Sequence, residues 1–183
     1  MLLRLTGGTL RSRRLPSVPK RGVRPTPARV KESLFAILAT RSEDAVVLDL
    51  FAGSGALGFE ALSRGASFVT FVESNPGVAD LLREAAGDLD VTDQVEILTM
   101  RAERAVTRLE RKYDLVFADP PYEMGFPSQP LGTLRTRDLL SEDAVVVFEH
   151  SGHSSPETPG FDVTREERYG DVVIAFLKAQ TDS

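Results

Sequence analysis

The chain is predicted to adopt an α/β fold on a mostly parallel seven-stranded sheet with an antiparallel edge hairpin, preceded by an N-terminal β-hairpin arm. Three observations carry this. From residue 45 onward, apolar runs of strand length alternate with amphipathic runs of helix length, as in repeated βαβ units. A glycine-rich turn, Asp49 to Gly58, follows the first long apolar run and opens a helix. The last two apolar runs are separated only by Tyr169-Gly170-Asp171, a link suited to a hairpin and too short for a crossover.

The elements follow in order. Leu2 to Leu15 reads as two short strands around Gly7-Gly8, with Leu3, Leu5 and Leu10 alternating with polar neighbours. Pro16, Pro19 and Pro25 make the next segment extended. Thr26 is then expected as an N-cap with Pro27 at the first helical position, for a helix to Ala39 whose Val30, Leu34, Ile37 and Leu38 share a face. Strands are predicted at 45–50, 67–73, 95–100 and 113–118, alternating with helices at 57–64, 76–86 and 103–111. A helix around 131–140 precedes a strand at 144–149, a loop at 151–160, and strands at 161–168 and 172–178. Residues 1–25 are thus expected to form a basic arm and residues 26–183 a single catalytic domain.

Charge divides along the same boundary. Residues 1–31 contain nine Lys or Arg and no acid, while the rest of the chain carries 13 basic and 27 acidic residues, a formal −14. Such asymmetry points to a polyanion held by Arg4, Arg11, Arg13, Arg14, Lys20, Arg21, Arg24, Arg29 and Lys31. A plainly solvated tail is the bland alternative; a membrane surface could also attract this charge, but the segment has no large amphipathic apolar face to insert. With no cysteine, thiol chemistry, disulfides and thiolate metal sites are excluded. His150 and His153 lack further ligands and read as loop residues, so no metal is expected. No apolar run reaches a membrane span, which leaves a cytoplasmic protein as the expectation.

Gly53, Gly55 and Gly58 satisfy G-x-G-x-x-G, which alone suits any nucleotide-like ligand at a helix N-terminus. The neighbouring acids shift the balance. Glu73 ends the following strand, where a carboxylate can accept both hydroxyls of an adenosine ribose. Asp49 closes the strand before the turn, where a negative group suits an ammonium better than a pyrophosphate. S-adenosylmethionine carries that ammonium and a cationic sulfonium. Phe51, Ser74, Arg101 and Ala102 complete the candidate cofactor set, the last two where an adenine should lie.

The remaining motif, Asp119-Pro120-Pro121-Tyr122, closes the 113–118 run. Two successive prolines remove two N–H donors and fix φ, so nearby carbonyls are expected to stand outward as unpaired acceptors for an exocyclic amino group. Asp119 adds a charged acceptor at a strand's carboxyl end, where open α/β sheets bind ligands, and Tyr122 offers a stacking ring. A Pro-rich turn ending a strand is the alternative.

With the glycine loop, this motif resembles class I S-adenosylmethionine-dependent amino methyltransferases, which have a Rossmann-like fold. More closely, the chain is similar to the bacterial 16S rRNA guanine-N2 methyltransferase D family. The specific part is Thr6-Gly7-Gly8, Arg13-Arg14-Leu15, Arg24-Pro25-Thr26, Arg29-Val30-Lys31-Glu32 and Leu34-Phe35, together with Asp49 to Gly58 and Asp119 to Tyr122. The resemblance implies S-adenosyl-L-methionine as cofactor, S-adenosyl-L-homocysteine as product, and methyl transfer to the exocyclic N2 of a guanine in 16S rRNA, guanine 966 by family resemblance. It further implies a 30S subunit or assembly intermediate as substrate; a monomer without a membrane partner is expected, with Asp119, Pro120, Pro121 and Tyr122 as the catalytic set. Arg101 departs from the family pattern, which often has Asp or Asn near the adenine, so backbone contact at Ala102 is the safer expectation. Competing readings are a DNA adenine-N6 methyltransferase, a nicotinamide-dependent oxidoreductase and a non-catalytic RNA-binding module.

Overall fold

In a computed structural model that describes residues 3–18 and 27–181, the predicted alternation resolves into two helical layers on a seven-stranded sheet. The elements are α1 (Ala28–Leu38), β1 (Val46–Asp49), α2 (Ala56–Ser63), β2 (Phe68–Glu73), α3 (Pro76–Asp88), β3 (Val95–Thr99) and α4 (Ala102–Ala105). They continue with β4 (Tyr113–Ala118), α5 (Ser128–Thr136), β5 (Leu140–Ser151), β6 (Phe161–Tyr169) and β7 (Val172–Ala179). The strand order is β3-β2-β1-β4-β5-β7-β6; β1 to β5 pair in parallel, and β7 is antiparallel to both β5 and β6. The order reverses at β1, between β2 and β4, so the crevice for a ligand opens above the carboxyl ends of these strands.

Alternation along the central strands feeds both layers. Val47, Leu115, Phe117, Val145 and Val147 pack with α1 to α3, whereas Leu48, Val116, Ala118, Val146 and Phe148 pack with α4 and α5. The 113–118 strand has the bounds its sequence predicts, because its apolar run is buried on both faces. Tyr113 is fully buried, and its hydroxyl donates to Thr70 Oγ1 at 3.0 Å.

Several predicted elements change. The 103–111 helix is reduced to α4, because Thr107 Oγ1 bonds the Arg104 carbonyl at 2.8 Å and the chain continues as turns. The 131–140 helix begins earlier, at Ser128, and ends at Thr136; Asp138, at φ 54°, turns the chain so that Leu140 pairs with Tyr113 and lengthens β5. Pro27 occupies the cap of α1 and not its first turn, and Thr26 lies outside the described residues. His150 is not a loop residue: it is buried in β5 and stacked on Phe148 at 5.2 Å, while His153 is in the loop.

The arm folds back through one antiparallel bridge, Arg4 to Arg14, and not through a two-residue turn at Gly7-Gly8. Its wider turn, through residues 7–12, is shaped by the body. Thr9 N–H donates to the carbonyl of Ser63, the last residue of α2, at 2.7 Å, and Leu10 N–H donates to Ser63 Oγ at 2.9 Å. Gly8, at φ 73°, lies so close that a Cβ there would fall 1.7 Å from that carbonyl oxygen. Leu5 and Leu15 are buried in the α1–α3 layer.

Candidate active site

The carboxyl edge of the sheet holds a cleft of about 620 Å³, within the range of small-molecule sites. Its walls come from the ends of β1, β2, β3 and β4, and it gathers residues that are far apart in sequence. Phe51, Gly53, Glu73, Ser74, Arg101 and Ala102 line it, as do Asp119, Pro120 and Pro121. The candidate cofactor set and the candidate catalytic motif therefore face one space.

Glu73 is held before any ligand arrives. Its Oε2 accepts from Gly53 N–H at 2.9 Å and its Oε1 from Asn75 N–H at 2.8 Å. Gly53 presents that amide from φ 52°, a left-handed conformation that costs glycine little. A carboxylate so fixed retains lone pairs for two ribose hydroxyls. Apolar side chains of Leu50, Phe51, Val72, Val78 and Met100 provide walls for a ring. This pairing of an oriented acid with apolar walls fits S-adenosylmethionine.

The other two glycines serve the core. A Cβ at Gly55 would meet Phe59 and Leu82 at 2.6–2.7 Å, and one at Gly58 would lie 2.3 Å from Phe71 Cε1. They let α2 pack closely on the sheet, and neither lines the cleft. Asp49 also sits beneath the cleft wall: it is 2 % exposed and accepts from Gly58 N–H at 3.2 Å, which ties the strand end to the first turn of α2.

On the opposite wall, Asp119 is half-buried, Pro120 buried and Pro121 exposed. The carbonyls divide. Pro121 O accepts from Met124 N–H at 2.9 Å inside a 3₁₀ turn over Tyr122–Met124, so the expectation of outward, unpaired carbonyls fails there. Among the described residues no donor meets the Pro120 carbonyl. Tyr122 lies in that turn, with its side chain outside what is described.

Of the predicted phosphate contacts, Arg4, Arg11, Arg13, Arg14 and Arg29 are exposed, and Arg13 also reaches the Asp88 carbonyl. Lys20, Arg21 and Arg24 lie outside the described residues. Lys31 departs from the expectation: it is 1 % exposed, donates to the Arg4 carbonyl at 2.9 Å and stands 3.8 Å from Glu60. Burial holds its pKa below the usual lysine value against the pull of Glu60.

Sequence reasoning passed over Val18 and Met124, which also line the cleft. Glu103, in the first turn of α4, lines it beside Arg101 and Ala102, the stretch that the sequence assigns to the adenine. Val18 and Met124 carried no usable signal. Among the described residues, no group of three or more His, Cys, Asp or Glu is placed to hold a metal ion. No helix among them is long and apolar enough to cross a membrane.

Known proteins resemble this chain in sequence and fold. The model of the family described as conserved hypothetical protein 95 matches residues 3–178. Ribosomal RNA small subunit methyltransferase D of Escherichia coli is 34% identical over 180 residues, covering 97% of this chain and 90% of that protein. The protein of the same name from Haemophilus influenzae is 36% identical over 150 residues, covering 80% of this chain and 78% of that one. The solved structure of yhhF from Escherichia coli superposes with a TM-score of 0.86 at 31% identity, covering 98% of this chain and 99% of that one. With matches that span arm, glycine turn and proline motif alike, the chain belongs to the conserved hypothetical protein 95 family, the family of the small-subunit ribosomal RNA methyltransferases D.

Proposed function

We propose that the protein transfers a methyl group from S-adenosylmethionine to the exocyclic N2 of a guanine in 16S rRNA, presented on a 30S subunit or an assembly intermediate. By family resemblance the position is guanine 966. The observation that carries the reading is the shared cleft: an oriented Glu73 on one wall and Asp119-Pro120 on the other. The names of the relatives, which specify small-subunit ribosomal RNA, support the substrate class.

When bound, the cofactor supplies a methyl group on a cationic sulfonium. Glu73 accepts the ribose hydroxyls, and Phe51 and Met100 exclude water from the adenosine. The target guanine, unstacked from its neighbours, donates its amino hydrogens to Asp119 and to the Pro120 carbonyl, which directs the nitrogen lone pair at the methyl carbon. The bound cofactor would supply its methyl group to that nitrogen and leave as S-adenosylhomocysteine, and Asp119 or water would take the proton that the nitrogen loses. Tyr122 is assigned to stacking on the base, and the exposed arginines of the arm to the phosphates.

Labelled S-adenosylmethionine supplied with unmethylated 16S RNA, 30S particles and duplex DNA tests this directly. N2-methylguanine in RNA or particles, identified by mass spectrometry, is the expected product. N6-methyladenine as the sole product would replace this reading with the DNA adenine one.

A further inference from the structure

Glu60 is the least exposed acid in the protein's described core and takes no part in the cleft. It sits on α2 with 0 % exposure. Its Oε1 accepts from the Thr6 hydroxyl at 2.7 Å, Gly7 N–H at 2.9 Å and Arg64 Nε at 3.0 Å. Its Oε2 accepts from Thr6 N–H at 2.9 Å and lies 3.8 Å from Lys31 Nζ, which in turn holds the Arg4 carbonyl. Burying a carboxylate is costly unless it is paired and hydrogen-bonded, and for the core alone a well-packed apolar side chain often does as well. Here the compensating groups come from the arm, from α1 and from the next turn of α2.

These partners bracket a particular stretch of chain. Gly7 and Lys31 flank seven of the nine basic residues of the 1–31 segment, and the arm's last described residue, Val18, is on the cleft wall. One carboxylate thus ties both ends of the basic segment to the same point of the body. An arm not held at Glu60 would be ordered only at the moment of binding, at an entropic cost to affinity.

We infer that Glu60 is a positioning residue for the RNA substrate, holding the arm with its exposed Arg4, Arg11, Arg13 and Arg14 against α2, beside the cleft. This rests on the RNA reading proposed above. The same geometry supplies an independent way to release the arm. Gly8→Ala would place a methyl 1.7 Å from the Ser63 carbonyl oxygen, at a φ unsuited to alanine, without touching Glu60 or the core.

The test compares full-length wild type, Glu60→Gln and Gly8→Ala on the RNA or particle that the wild type methylates. Each variant should raise KM for that substrate at least about tenfold and lower the salt slope of binding by about 2, as phosphate contacts are lost. Turnover at saturating RNA, and affinity for S-adenosylhomocysteine, should stay within about threefold, as for loss of uniform binding. Adding Arg11→Ala with Arg14→Ala should raise KM further in the wild type but by less than about twofold in Gly8→Ala, because the charges act only from a docked arm. Unchanged KM in Gly8→Ala with the arm shown released by hydrogen exchange, full additivity of the arginine changes, or a loss confined to kcat would overturn the inference. Should Glu60→Gln not fold, Gly8→Ala alone decides. A wild type without RNA turnover overturns the RNA reading itself, and that result is visible before any variant is compared.

Discussion

The two walls of the cleft are made rigid by different means. On the β1–β2 side, backbone amides do the work: Gly53 and Asn75 donate to Glu73, and Gly58 donates to Asp49, so two carboxylates are locked by main chain. On the β4 side, ring closure replaces hydrogen bonding. Two prolines fix φ and offer no donor, and the single 3₁₀ turn consumes the Pro121 carbonyl while leaving that of Pro120 without a donor among the described residues. The first wall is suited to holding a ligand with fixed hydroxyls, the second to receiving amino hydrogens. Binding and reaction should therefore separate under mutation.

The largest expected effect is on the proline side. Asp119→Ala should lower kcat about 10²- to 10⁴-fold, the range for a positioned proton-handling group, while S-adenosylhomocysteine still binds. Wild-type turnover in that variant, or lost cofactor binding, would break the division between the walls. The next effect is on the amide side. Glu73→Ala should weaken cofactor affinity about 10- to 100-fold by calorimetry, since charged hydrogen bonds contribute about 1.5–3 kcal/mol each. A loss of turnover at saturating cofactor with affinity intact would reverse the assignment. The smallest effect comes from beneath that wall. Gly58→Ala should cost about 1–3 kcal/mol of stability in denaturant titration by overpacking Phe71, with little change in cofactor affinity of the folded protein. Loss of affinity without loss of stability would move Gly58 from the core into the site.

Much of this was readable in the chain. Tyr113–Ala118 could be bounded to the residue because a buried parallel strand is a continuous apolar run, and Glu73 could be picked out because it ends the next strand after a glycine turn. What was not readable shares a cause. The 103–111 helix pattern gives no warning that Thr107 captures a carbonyl, and the basic count of the arm gives no warning that Lys31 is spent on Glu60. Gly55 and Gly58 matched a ligand motif, yet the space their missing Cβ atoms leave is filled by Phe59, Leu82 and Phe71.

By itself, the sequence determined what covalent structure and local periodicity dictate: the order of strands and helices, the donor-free Asp119-Pro120-Pro121 turn, the Gly53 corner and the segregation of positive charge. Only the tertiary structure decided which of those groups meet. It turned Lys31 inward, brought Val18 and Met124 to the cleft and set Glu60 beneath the arm. The physical reason is that burying a charge, or bringing a side chain to the cleft, depends on partners tens of residues away, and no local pattern encodes where the fold will place them.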